Sequence, residues 1–140
     1  MKTTSTKAEI YDILVLGSGE AGKYIAWTLA KQGKRVAVVE RKYVGGSCPN
    51  IACLPSKNVI HSAKVASYFF RGGEFGISKD NCRIDMTVVR DRKRKMVAGL
   101  VDMHLANFKS SGAELLIGSG RFTGPKTIEL TQPDGTKRLL

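Results

Sequence analysis

Apolar residues along this chain fall into short runs, then helically spaced stripes, then short runs again. Residues 11–16 form an apolar, β-prone run that stops at Gly17, the pattern of a strand buried on both faces. From Glu20 to Lys31 the period changes. Ala21, Tyr24, Ile25, Thr28 and Leu29 recur at three- and four-residue spacing, and Gly33 stands where a helix C-cap would. Residues 35–40 read as a second strand, so the segment is a strand–helix–strand unit, which crosses over right-handed. Next comes a helix that carries Cys48 and Cys53 and continues to about Phe70, then a glycine-rich loop at Gly72, Gly73 and Gly76. A long helix is expected over residues 86–110, with Val97, Val101, Leu105 and Phe108 as its apolar stripe. The chain closes with a strand at residues 114–117 and a hairpin of residues 127–131 and 137–140 across the turn Pro133-Asp134-Gly135. Residues 1–9 read as a loose leader and residues 10–140 as one domain, with no internal repeat.

Composition narrows this picture in three ways. At 140 residues, 42% hydrophobic and 25% charged, the chain is an ordinary globular one with room for a single α/β core. The net charge of +11 points to acidic partners or solubility rather than to fold. The dense basic run at residues 90–95 holds five bases and Asp91 but no aromatic residue for base stacking, so it reads as a solvated helix face and not a nucleic-acid patch. The first nine residues lack the apolar stretch of a signal peptide, and the apolar runs are too short to span a bilayer. Three cysteines are too few for a secreted disulfide scaffold; the close pair suits redox or metal chemistry in a reducing compartment, and the cytoplasm is the expected address.

Two local motifs carry chemistry. Gly17-Ser18-Gly19-Glu20-Ala21-Gly22 lies between a strand and a helix, the context of a dinucleotide turn. Gly17 permits the tight turn, Gly19 lets backbone approach a pyrophosphate, and Gly22 lets the helix pack on the strand. The N-terminus of the helix, at Glu20 and Ala21, then offers free N–H groups to phosphate. Glu40 ends the second strand, where a carboxylate can accept hydrogen bonds from the ribose hydroxyls of an adenosine.

The second motif is the run Gly45-Gly46-Ser47-Cys48-Pro49-Asn50-Ile51-Ala52-Cys53-Leu54-Pro55-Ser56-Lys57. In an undistorted helix, residues five apart point about 140° away from each other, and their α-carbons exceed the roughly 7 Å a disulfide tolerates. The pair closes only where the chain departs from helical geometry. Pro49 fits a first helical turn, whereas Pro55 cannot donate to the carbonyl of Ile51 and is the expected source of distortion. Lys57 shares the helix face of Cys53 and, with the helix N-terminus, favours a thiolate. Zinc would need paired ligands at closer spacing and four in total; Cys82 and His61 could be recruited, and a buried structural thiol pair is a further alternative. Cys82 reads as inert, and His61 and His104 as packed or solvated helix histidines.

With these motifs in order, the chain resembles the N-terminal part of a class I pyridine nucleotide-disulfide oxidoreductase, a family that includes dihydrolipoamide dehydrogenase, glutathione reductase and mercuric reductase. The resemblance implies an α/β, Rossmann-like FAD-binding domain with a parallel sheet and a small β-hairpin or meander, incomplete relative to the family. It implies FAD in the glycine turn, NAD(P)H as electron donor, a small disulfide, dithiol or mercuric-ion substrate, and a homodimer when full length. Matching positions make Cys53 the thiol beside the flavin, Cys48 the interchange thiol and Lys57 a neighbour of the flavin. Gly17, Gly19, Glu20, Ala21, Gly22, Glu40, Arg41, Gly46, Ser47, Lys57 and Gly120 become cofactor contacts, and no metal site is implied. Ser47, Pro49 and Ala52 depart from the commoner residues and suggest a mercuric-reductase-like or other peripheral branch. The family's second nucleotide fingerprint and C-terminal His-Glu pair lie outside these residues. The chain therefore reads as a fragment of a larger enzyme, the alternative being a truncated, non-catalytic nucleotide-binding module.

Overall fold

The computed structural model describes residues 7–78 and 83–140. Cys82, expected to be inert, lies outside the described residues. Strand β1 (Ile13–Leu16), helix α1 (Glu20–Lys31) and strand β2 (Val36–Glu40) form the first unit. A short helix α2 (Ser47–Asn50), a long helix α3 (Cys53–Phe70) and a 3-10 turn at Gly72–Phe75 follow. Helix α4 (Met86–Ser111) leads into β3 (Glu114–Ile117), β4 (Ser119–Gly124), β5 (Thr127–Thr131) and β6 (Lys137–Leu139). Strands β1, β2 and β3 make a parallel sheet with β2 in the middle; β4, β5 and β6 make an antiparallel meander.

Strand β2 is buried along its whole length because its period-two alternation feeds two cores. Val36 and Val38 face α1 and α4, where they join Ala26, Trp27, Phe108 and Ala113. Ala37 and Val39 face the meander, where they join Leu116, Ile128, Leu130 and Leu140. The doubly buried strand expected at residues 11–16 is different: among the described residues β1 pairs with β2 alone and stands at the sheet edge, with Leu16 48% exposed.

The helices also turn faces other than those their apolar patterns suggest. In α1 the buried positions are Lys23, Ala26 and Trp27, while Ala21, Tyr24, Ile25 and Thr28 are exposed. Trp27 decides the rotation, packing edge-on against Phe108 at 5.4 Å, which leaves Ile25 beside the open edge of β1. In α4 the inward stripe is Val97, Val101, His104 and Phe108; Leu105, assigned to the core from its apolarity, is 44% exposed. The predicted hairpin is present, with Gly135 at φ +84° in its turn. The end of the leader is docked, since Glu9 donates its N–H to Leu139 and its carboxylate pairs with Arg138 at 2.7 Å.

Candidate functional site

The glycine turn has the geometry its motif requires. Gly17 takes φ +94° and bonds its N–H to the Val39 carbonyl at 2.8 Å, tying the turn to β2. A Cβ on Gly22 would collide with the Gly17 carbonyl and stand 3.0 Å from Val15, so α1 sits on β1 only because residue 22 has no side chain. Gly19 has nothing within 4 Å of its missing Cβ, which leaves its backbone open to a ligand at the start of α1. Glu20 and Ala21 are exposed beside it. Two cavities meet at Gly17: one of about 640 Å³ along Leu16, Gly19 and Ile25, the other of about 280 Å³ between Glu40, Arg41 and Gly120. An open backbone cradle flanked by two cavities fits a dinucleotide such as FAD.

Glu40 lies at the rim of the smaller cavity, but its carboxylate is engaged by the protein. One oxygen accepts from the Ser18 N–H at 2.9 Å and the Ser18 hydroxyl at 2.6 Å. The other accepts from the N–H groups of Lys42 at 2.7 Å and Tyr43 at 3.0 Å. Those four donors match the four lone-pair sites of a carboxylate. Burial pushes the Glu40 pKa up; the donors outweigh it and hold the group below the ordinary carboxylate value. Ser18, which the sequence reading passed over, is therefore a hub. It is fully buried, and its hydroxyl also accepts the Gly45 N–H at 3.0 Å, joining the glycine turn, the end of β2 and the thiol loop.

The thiol loop rests on the glycine turn. A Cβ on Gly46 would stand 2.6 Å from the Gly19 α-carbon, so two glycine backbones meet where a nucleotide turn and a cysteine loop cross. Asn50 ties this loop by donating to the carbonyls of Val44 at 3.0 Å and Gly46 at 2.8 Å. Pro49 is buried within α2, the position that tolerates its missing N–H.

The cysteines do not share one helix. The chain breaks at Ile51 and Ala52, whose N–H groups both bond the Ser47 carbonyl at 2.9 Å, and Cys53 opens α3. Pro55 is the third residue of α3, where no helical N–H partner is lost, so it is not the source of the distortion. Ala52 keeps a negative φ of −116°, which its Cβ tolerates. The break leaves two free thiols close enough for Cys53 to affect the ionisation of Cys48, with Cys53 exposed and Cys48 half-buried. The Cys48 thiol is pushed above its usual value, first by its hydrogen bond to Cys53, then by burial and by the charges of Cys53 and Glu20, with Lys23 acting the other way. Lys57 is exposed on α3, one turn beyond Cys53. Ser47 opens α2, Arg41 is exposed at the rim of the smaller cavity, and Gly120 lies on β4 under Leu16 and Val39.

His61 is exposed on α3, and Arg92 of the basic run braces that helix by donating to the Asn58 carbonyl and the Ser62 hydroxyl at 2.7 Å. His104 is buried against Lys23, a pairing that no local pattern signals because the two residues are 81 positions apart. Among the described residues no group of three His, Cys, Asp or Glu side chains could hold a metal ion, and no helix is long and apolar enough to cross a membrane.

Comparison with known proteins adds an independent line. The family model for pyridine nucleotide-disulphide oxidoreductases matches residues 11–137. Dihydrolipoyl dehydrogenase of Mycobacterium leprae is 39% identical over 127 residues, covering 89% of this chain and 27% of its own length. The soluble pyridine nucleotide transhydrogenase of Pseudomonas putida is 31% identical over 131 residues, covering 93% and 28%. The HOCl-induced flavoprotein disulfide reductase RclA of Escherichia coli, solved as a Cu(II) complex, superimposes with a TM-score of 0.77 at 27% identity over 94% of this chain and 26% of its own. The chain thus spans about a quarter of the length of the relatives it matches.

Proposed function

Because this chain belongs to the pyridine nucleotide-disulphide oxidoreductase family, we propose that it carries the FAD half-site and the redox dithiol of a flavoprotein that moves electrons from NAD(P)H to a small disulfide. The observation that carries this reading is the contact between Gly46 and Gly19, which sets two adjacent thiols directly beside an open dinucleotide turn. The family uses FAD and NAD(P)H. Bound at the turn, FAD would supply the two-electron link between the nicotinamide donor and the thiol pair.

The residues of this chain divide the remaining work. Gly17, Gly19 and the first turn of α1 at Glu20 and Ala21 would hold the pyrophosphate, with Gly22 keeping α1 close to β1. Arg41 and Gly120 line the adenosine side. Glu40 would hold a ribose hydroxyl there, the Ser18 hydroxyl being the one rotatable member of its four donors. Cys53 and Lys57 would lie on the flavin side, with Gly46 and Ser47 along the loop. Cys48 is the nucleophile: its thiolate attacks one sulfur of the substrate disulfide and releases the other as a thiolate. Cys53 then displaces the bound sulfur, leaving the Cys48–Cys53 disulfide for re-reduction. A homodimer, a cytoplasmic setting that keeps thiols reduced, and a mercuric-ion substrate in place of a disulfide extend this reading.

The full-length protein tests it. Purified holoprotein should be yellow and bleach on adding NADH or NADPH, and Cys53→Ser should retain the flavin but lose transfer to a disulfide. A colourless protein that ignores added FAD would leave only the non-catalytic nucleotide-binding module.

A further inference from the structure

Lys23 is among the most completely buried large side chains of the molecule, 2% exposed, in the helix that follows the glycine turn. A buried ammonium is costly unless paired and hydrogen-bonded. Its Nζ donates to Glu20 Oε1 at 2.6 Å and to His104 Nε2 at 3.1 Å. Because Nε2 accepts, the imidazole is neutral and carries its proton on Nδ1. That Nδ1 is buried without a hydrogen-bond partner and lies against the α-carbon of Gly45, in the space a Cβ would need. His104 therefore touches both the ammonium and the loop that delivers Cys48, three residues on. One turn before Lys23, Gly19 touches Gly46 of the same loop. The buried ammonium thus reaches the loop through His104 at Gly45, and Gly19, one turn before it, meets the same loop at Gly46.

Of Glu20, Lys23 and His104, the lysine and the histidine have no part in the proposed phosphate binding or thiol exchange. We propose that Lys23 is a positioning residue for the thiol pair: clamped between Glu20 and His104 where His104 and Gly19 meet the loop that carries Cys48, its buried ammonium counterbalances the Glu20 carboxylate and keeps that thiol able to ionise. This rests on the reading of Cys48 as a nucleophile. The charged and titratable groups that act on Cys48 are Cys53 from α3 and Glu20 and Lys23 from α1, with His104 of α4 bonded to Lys23. The Glu20 carboxylate opposes loss of the Cys48 proton and the Lys23 ammonium favours it, so the two charges form a lever of opposite signs.

The test is the pH dependence of iodoacetamide alkylation at Cys48 in the full-length protein carrying Cys53→Ser, with the modified site mapped by peptide mass spectrometry. The rate follows the thiolate fraction. Lys23→Met should move the profile to higher pH and slow alkylation at neutral pH by about threefold, half a pKa unit. Glu20→Gln, at a half-exposed side chain, should move it to lower pH and speed alkylation by a similar factor. Opposite shifts support the lever, because loosened packing would move both variants the same way. Shifts of the same sign, or no shift in Glu20→Gln, overturn it. If Lys23→Met fails to fold, Glu20→Gln decides alone. The alkylation readout needs neither electron transfer nor turnover, so its failure is distinct from failure of the proposed electron transfer.

Discussion

Replacing Gly46 by alanine tests the crossing of the two glycine backbones. Gly46 holds φ +81° and ψ −170°, a region that glycine nearly alone occupies. A Cβ added there would stand 2.6 Å from the Gly19 α-carbon, so the loop and the turn must part by about 0.8 Å to reach the 3.4 Å of ordinary contact. Neither partner can swing aside. Gly19 caps α1, and Gly46 is fixed by its N–H bond to the Tyr43 carbonyl at 2.7 Å. The dihedral contributes about 1–3 kcal/mol and the overpacking a further 1–3 kcal/mol, approximately, so Gly46→Ala should lose about 4 kcal/mol. Gly33→Ala is the control, since Gly33 has φ +85° but nothing within 4 Å of its missing Cβ; it should lose about 1–2 kcal/mol from the dihedral alone. Urea unfolding with an unchanged m-value reads both losses. Gly46→Ala losing no more than Gly33→Ala would refute the argument that the loop is seated on the turn.

Ser18→Ala should cost about 2 kcal/mol, because it removes the hydroxyl bond to Glu40 and strands the Gly45 N–H in a buried site; a loss below about 0.5 kcal/mol in urea would contradict the hub. For His104, burial and then the Lys23 charge hold the pKa below its ordinary value, with Glu20 opposing. The unfolded chain therefore binds the proton first. The contribution is full above about pH 6.5 and is lost as pH falls through that value toward the lower folded one. His104→Gln should flatten the change in urea midpoint over this window, and a slope unchanged by the substitution would count against it. Glu40, also depressed, adds stability that is full above its ordinary value of 4.5 and is lost as pH falls from there. Glu40→Gln should remove that acid-limb loss.

The parallel unit and the closing hairpin were readable because their signals are local. Residues 36–39 are apolar without interruption, Gly17 and Gly22 follow from backbone proximity, and Pro133-Asp134-Gly135 is turn chemistry. Helix faces were less readable. Tyr24 and Ile25 make as good an apolar stripe in α1 as Ala26 and Trp27, and only the docking of Trp27 on Phe108 decides between them. Leu105 and His104 compete in the same way in α4: apolarity favours the leucine, but Lys23 supplies a buried partner for the imidazole. The cysteine spacing showed that the helix must be distorted. It could not show where, because the break is fixed by the Ser47 carbonyl taking two N–H groups and not by either proline.

That break divides the thiol pair between two supports. Cys48 belongs to a loop held from three directions, by Ser18 and Gly19 of the turn, by Asn50 folding back on Val44 and Gly46, and by His104 from α4. Cys53 belongs to α3, which lacks an apolar seat of its own: its one fully buried residue is Pro55, and it is braced on α4 by Arg92. Within one helix the separation of the sulfurs would be set by helical phase and could not suit a disulfide. With the chain broken at Ile51 and Ala52, it is set by two backbone residues whose N–H groups both bond Ser47, the Ala52 carbonyl in turn accepting from Ser56. The partner of each sulfur is thereby chosen by its support. The nucleotide turn governs Cys48 through Ser18, Gly19 and Lys23, and substitutions there should alter Cys48 before they alter Cys53.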